Sequence, residues 1–198
     1  MRLNKNIRQT LRIAKIELSS MFYSPVAWLI LVIFALLIGY DYANIFDSQL
    51  HSQSLGNNLW SVSSAIYNSW MTGILKPILR NLYLYIPLIT MGLMSREYQS
   101  GSVKLLYSSP IKNSSIILGK YLAMMCYGAA LMSIIGLNVL FSWLTVENFQ
   151  ISMLLVGMLG IYLLILAYSA IGLFMSTLTA YQVVAAIGTL AVLAVLNF

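Results

Sequence analysis

Charged residues are sparse along this chain, and the uncharged runs between them set its elements. A helix needs about 20 mostly apolar residues to cross a hydrocarbon core of roughly 30 Å. Between Glu17 and Asp41 lie 23 uncharged residues, with Pro25 near the start. A proline is tolerated in a first turn, so this run predicts a span over about 24–42. Asn81 to Ser95 is an uncharged run of only 15 residues. A second span must therefore begin earlier and cover about 74–95, with Lys76 and Arg80 snorkelling to the outer interface or facing protein. Pro87 predicts a kink within it. The 26 uncharged residues between Lys120 and Glu147 predict a span over about 119–144. Beyond Glu147, 51 uncharged residues run to Phe198. At about 1.5 Å per residue they would make roughly 76 Å of helix, too long for one crossing. The polar "STLTAY" at Ser176 to Tyr181 is the best turn, giving spans over about 150–175 and 182–198. The expected fold is all-α, a polytopic transmembrane helix bundle forming one domain. The last span is short and has no polar flank, so the chain is expected to be the N-terminal portion of a longer protein.

Charge orients the bundle. Arg2, Lys5, Arg8, Arg12 and Lys15 precede the first span, and Arg96, Lys104, Lys112 and Lys120 follow the second. The segments around 43–74 and 145–149 have no Lys or Arg at all. Positive charge marks the cytoplasmic side, which places the N-terminus and the 96–118 loop there. The loop after span one, with Asp47, His51 and many Ser and Asn, is expected outside, with an interfacial helix around Trp60 to Trp70. The charged N-terminus superficially resembles a signal peptide. Its apolar run is too long and lacks a small-residue cleavage site, so a retained span is expected.

Composition agrees with this picture and excludes several classes of function. The chain has 198 residues, 60% hydrophobic and 8% charged, which is the composition of an integral membrane protein. Its formal charge of +6 could suggest nucleic acid in a soluble chain. Here the cations flank apolar runs, so no nucleic-acid partner is expected. One cysteine, Cys126, and one histidine, His51, allow neither an intrachain disulfide nor a His/Cys metal cluster. Nothing in spacing supports a hydrolytic triad from the outer-loop serines with Asp41, Asp47 and His51. No GxxxxGK[ST] phosphate loop occurs: Gly119-Lys120 is followed by Tyr121 and preceded by apolar residues. The chain is therefore expected to be no enzyme, and its energy must come from a partner or an ion gradient. A gradient-coupled transporter would normally keep ionisable groups at membrane depth. Between Tyr121 and Phe198 the chain has only Glu147, in an expected loop.

Two segments have helical faces of their own. At 100° per residue, Ile7, Leu11, Ala14 and Leu18 cluster within about 60°, with Lys5, Arg8, Arg12 and Lys15 on a neighbouring arc. Residues 1–22 thus read as a basic amphipathic elbow helix in the inner interface, which either fixes topology alone or braces a transporter. In the 96–118 loop, Gly101 and Pro110 bracket a short element with Val103, Leu106 and Tyr107 on one face and Lys104 on the polar side. Gly172 and Ser176, at small-xxx-small spacing, and nearby Gly157 and Gly160 could let helices pack closely.

The loop resembles that of the ABC-2 type permeases, the membrane subunits of one branch of ATP-binding-cassette transporters. The resemblance rests on Glu97, Gly101, Leu105 and Leu106, then Ser109-Pro110, then Leu118-Gly119-Lys120. "KIELSSMFYSPVAW" at Lys15 to Trp28 is similar to the start of gliding-motility-associated members. Tyr98 and Ser102 stand where the family's pattern has a second charged residue and a threonine; Ser102 keeps the hydroxyl. The resemblance implies a six-span fold, of which about five are present here. It also implies that Glu97, Gly101, Val103, Leu105, Leu106, Tyr107 and Pro110 belong to an ATPase-coupling element. Arg8, Arg12 and Lys15 would belong to the elbow. The implied partners are cytosolic ABC ATPase subunits, a second permease subunit in a homo- or heterodimer, and the lipid bilayer, in a bacterial inner membrane. The chain itself would need no cofactor, ATP and Mg being bound by the ATPase. Two rivals from other classes are a membrane anchor that assembles a motility or other envelope machine without transport, and a secondary transporter.

Overall fold

A computed structural model describes residues 2–54, 75–108, 111–145 and 151–197. Among these there are eight helices and no strand. They are α1 (Arg2–Tyr23), α2 (Pro25–Ser54), α3 (Leu75–Thr90), α4 (Ser95–Ser100), α5 (Val103–Ser108), α6 (Asn113–Thr145), α7 (Ile151–Leu178) and α8 (Gln182–Asn197). The expected all-α bundle is borne out. Four stretches are long and apolar enough to cross a membrane: Pro25–Ser48, Pro77–Ser100, Asn113–Phe141 and Leu154–Leu178. A shorter apolar helix covers Gln182–Leu196. Trp60 to Trp70 and Glu147 lie outside the described residues, as do the side chains of Lys76 and Arg80.

The helices group into two compact units, one comprising Met1–Leu29, Tyr83–Gly128 and Leu164–Phe198, the other Ile30–Leu82 and Ala129–Leu163. In the second unit, Ile30, Phe34, Ile38 and Tyr42 of α2 are buried at four-residue spacing, which is one stripe of a helix. Tyr42 stacks on Phe46, with centroids 5.9 Å apart, and meets Phe141 edge-on at 6.3 Å. The outward residues of α2 in this unit include Val32, Ile33, Leu36 and Leu37, also apolar. A helix apolar on both faces suits lipid on one side and protein on the other. Past this stripe α2 continues through Asp47 and His51 to Ser54. Polar residues alone do not stop a helix, and no Gly or Pro interrupts this one between Asp41 and Ser54.

The first unit contains α1, α4, α5 and α8 and the adjoining parts of the longer helices. α1 turns part of its surface inward, where Ala14 is buried and Thr10, Ile13 and Glu17 are half-buried. Ile7 and Leu11 remain exposed beside exposed Arg8, Arg12 and Lys15. The chain passes from α1 to α2 at Ser24, whose N–H donates to the Met21 carbonyl at 3.0 Å, and Pro25 opens α2. Aromatic groups hold this corner. Trp28 Nε1 donates to the Phe22 carbonyl at 2.8 Å, and the Tyr127 hydroxyl donates to that of Ala27 at 2.8 Å. The Phe22 ring lies 5.8 Å from Trp28 and 5.9 Å from Tyr127.

Candidate functional site

α3 continues through Pro87 to Thr90, and the helix opens only at residues 91–94. α4 resumes the chain for six residues and ends at Gly101, where φ is +71° and the N–H returns to the Tyr98 carbonyl at 3.2 Å. A left-handed residue here ends α4 ahead of α5, and glycine takes that conformation without a Cβ penalty. A Cβ on Gly101 would meet nothing within 4 Å, so the requirement is one of backbone conformation and not of space. Ser100 and Ser102 hydroxyls lie 2.8 Å apart and approach the Glu97 carbonyl at 3.3 and 3.4 Å, closing the turn from outside.

The first turn of α4 is tied by charge, through Glu97. Lys120, two turns into α6 and with 2% of its side chain exposed, ion-pairs with Glu17 of α1 and with Glu97 of α4, the latter at 2.7 Å. A buried ammonium is costly unless paired and hydrogen-bonded, so these two carboxylates are what permit a lysine at this depth. The group carries one positive and two negative charges, and Glu97 Oε2 is buried without a hydrogen bond to any described residue. Beside it Gly119 brings α6 against α1. A Cβ there would lie 2.7 Å from Ile13 Cγ2 and 3.1 Å from the Thr10 carbonyl oxygen.

The start of α4 is also tied, by a hydroxyl. Ser176 of α7 is fully buried. Its Oγ accepts the N–H groups of Met94 at 3.0 Å and Ser95 at 3.1 Å, and donates to the Met91 carbonyl at 3.0 Å. A serine hydroxyl offers one donor and two acceptor sites, and all three are used. The start of α4 has no cap from its own N-cap residue, Met94, so a neighbouring helix supplies it. One turn earlier on α7, Gly172 permits the approach: a Cβ would fall 2.2 Å from Thr90 Oγ1.

Of the residues singled out by sequence, Glu97 and Gly101 thus form the start and the end of one short element. Val103 is half-buried at the first position of α5, and Lys104 is exposed. Leu105, Leu106 and Tyr107 occupy α5, but their side chains lie outside the described residues, and so does Pro110. Arg8, Arg12 and Lys15 are exposed on α1 and are not brought to the Lys120 cluster. From sequence, Lys120 counts as an orienting charge and as part of the Leu118-Gly119-Lys120 motif, and Glu17 only as the bound of an apolar run; neither is expected to form an ion pair. Ser176 was expected in a turn; the helix passes through it to Leu178, and its polarity serves the break in another helix. Among the described residues no three His, Cys, Asp or Glu side chains gather as metal ligands.

The sequence profile described as "ABC-2 family transporter protein" matches residues 11–198. It does not single out gliding-motility-associated members. Among curated proteins and among solved structures, no match is found.

Proposed function

We propose that this chain, which belongs to the ABC-2 family of transporter proteins, uses the α4–Gly101–α5 element to receive force from a separate ATPase subunit and so move a substrate across the membrane. Family and helices together make it a multi-pass membrane protein and the permease component of an ABC transporter. The observation that favours α4–Gly101–α5 as the coupling element is its attachment. It is a pair of short helices set off from α3 by a break, yet fastened through side chains to α1, α6 and α7. A displacement applied to such an element is passed to three helices at once.

In this proposal Glu97 anchors the element and Gly101 sets its turn. Val103, Leu106 and Tyr107 form the ridge that enters a groove of the ATPase, with Leu105 and Pro110 in the same coupling element. Arg8, Arg12 and Lys15 lie along the anionic headgroups of the inner leaflet. ATP and Mg bind to the ATPase, with no cofactor on this chain, and two permease subunits pair in a bacterial inner membrane with their N-termini in the cytoplasm. Leu106→Glu tests the docking ridge by placing a charge in an apolar contact. Co-purification of the ATPase and its permease-dependent ATP turnover should both be lost. Unchanged co-purification and turnover would rule out Leu106 as a docking residue.

A further inference from the structure

We propose that Lys120 is a positioning residue that couples the α1 elbow to α4, so that the two move as one lever when the 96–110 loop is displaced; the driven part of this rests on the coupling role given above. Glu17 and Glu97 stand 80 positions apart in the chain and belong to different elements. Both bond the same ammonium. Two like charges brought to one site repel, and a single cation between them converts that repulsion into a bridge. α1 and α6 are additionally in van der Waals contact at Gly119, Ile13 and Thr10. Glu17 lies one turn beyond Ile13 on the same face of α1, so packing and charge act on adjacent turns. α4 has no such glycine contact with α6, and its tie to Lys120 is ionic. Lys120 therefore determines whether displacement of α4 reaches α1.

This role differs from a general contribution to folding because it concerns a distance between two particular helices. Lys120 bonds a side chain of α1 and a side chain of α4 through one ammonium. The Ser176 contacts fasten α4 to α7 and leave α1 untouched. Loss of the Lys120 bridge should release α1 from α4 while α4 keeps its hold on α7.

The experiment measures spin-label distances in full-length chain reconstituted in nanodiscs. The exposed Cys126 is first replaced by Ser, and labels are placed at exposed Arg12→Cys on α1 and Ser100→Cys on α4. The parent should give one narrow distance distribution. Lys120→Met should broaden it roughly twofold, because two helices once bridged then move independently. Glu17→Gln, which leaves Lys120 paired with Glu97, guards against misfolding of the first variant and should broaden the same distribution. A second label pair, Ser100→Cys with Thr177→Cys on α7, should stay narrow in both variants. An Arg12–Ser100 distribution as narrow in Glu17→Gln and Lys120→Met as in the parent would overturn the bridge. Broadening of both label pairs together would also overturn it, since that is general loosening. With the co-purified ATPase present, trapping with ATP and vanadate should leave the Arg12–Ser100 distance unchanged in the parent and shift it in Glu17→Gln. A shift in the parent would overturn the common movement. Failure of any ATPase to associate would count against the coupling role alone, because the nanodisc distances decide the bridge without it.

Discussion

The two ties on α4 achieve similar attachment by opposite physics. At Lys120 a full charge is buried and held by two other charges. At Ser176 a neutral hydroxyl satisfies three backbone groups left over by a broken helix. The ionic tie is strong only as a complete set, since removing one member leaves the others unpaired in a poorly solvated place. The hydroxyl tie has no net charge to strand, and its loss exposes only backbone groups that the break had already freed. An ionic bridge also tolerates modest displacement, because Coulomb energy changes gradually with distance, whereas hydrogen bonds weaken steeply with angle. The ionic tie can therefore stay intact while α1 and α4 move together, whereas the hydroxyl tie holds α4 to α7 only in one geometry.

The largest expected effect separates the two at once. Lys120→Met leaves Glu17 and Glu97 facing each other without a cation and should destabilise the chain by about 3–5 kcal/mol. Adding Glu17→Gln and Glu97→Gln to that variant should restore more than half of the loss, because neutral groups of similar shape remove the stranded charges. Thermal unfolding in detergent micelles checks both, and a triple variant no more stable than Lys120→Met would show that the tie is not chiefly ionic. Ser176→Ala has no such rescue. It removes the acceptor for Met94 and Ser95 N–H and should cost about 2–3 kcal/mol. Amide exchange at those two positions should accelerate while exchange in the remainder of α7 is unchanged.

The fold and these ties were legible to different degrees for a physical reason. Uncharged runs report how much chain can lie in lipid, and that is a local property, so the all-helical bundle follows from lengths alone. Gly101 was legible as the boundary of a short element, because a glycine interrupts helix locally, although its left-handed backbone was not read. Lys120 and Glu17 are 103 positions apart. Whether a solitary charge ends an apolar run or pairs inside the protein depends on which helices approach, and no periodicity carries that. Ser176 shows the same ambiguity in neutral form. Polar residues in "STLTAY" suggested a turn, and the turn at 179–181 does follow, but Ser176 itself stays helical and caps a different element. The spacing of Gly172 and Ser176 was the one local signal of this contact, since small residues one turn apart allow close approach without naming the partner helix.

Close approach itself gives the next contrast. Gly172→Ala would drive a Cβ to 2.7 Å from Thr90 Cβ and closer still to its hydroxyl, in a site where Thr90 is fully buried. α7 must then withdraw from the break in span two, at a cost of about 1–3 kcal/mol. The same change at Gly160, also on α7, meets nothing within 4 Å and should be neutral or stabilising by up to about 1 kcal/mol. Equal unfolding temperatures for the two variants would mean that α7 does not bear on Thr90.

The smallest destabilisation should fall on Gly101, and its form matters more than its size. Gly101→Ala has room for its Cβ but must hold φ near +71°, which costs about 1–2 kcal/mol for a residue with a side chain. Gly101→Asn should cost less, because asparagine visits the left-handed region more readily than alanine. If the turn alone is at stake, unfolding temperature and ATPase co-purification should follow the same order, glycine above asparagine above alanine. Should co-purification instead drop equally for both variants, the side-chain-free surface at Gly101 would itself be part of what the ATPase touches, and the position would belong to the docking ridge rather than to the backbone that presents it.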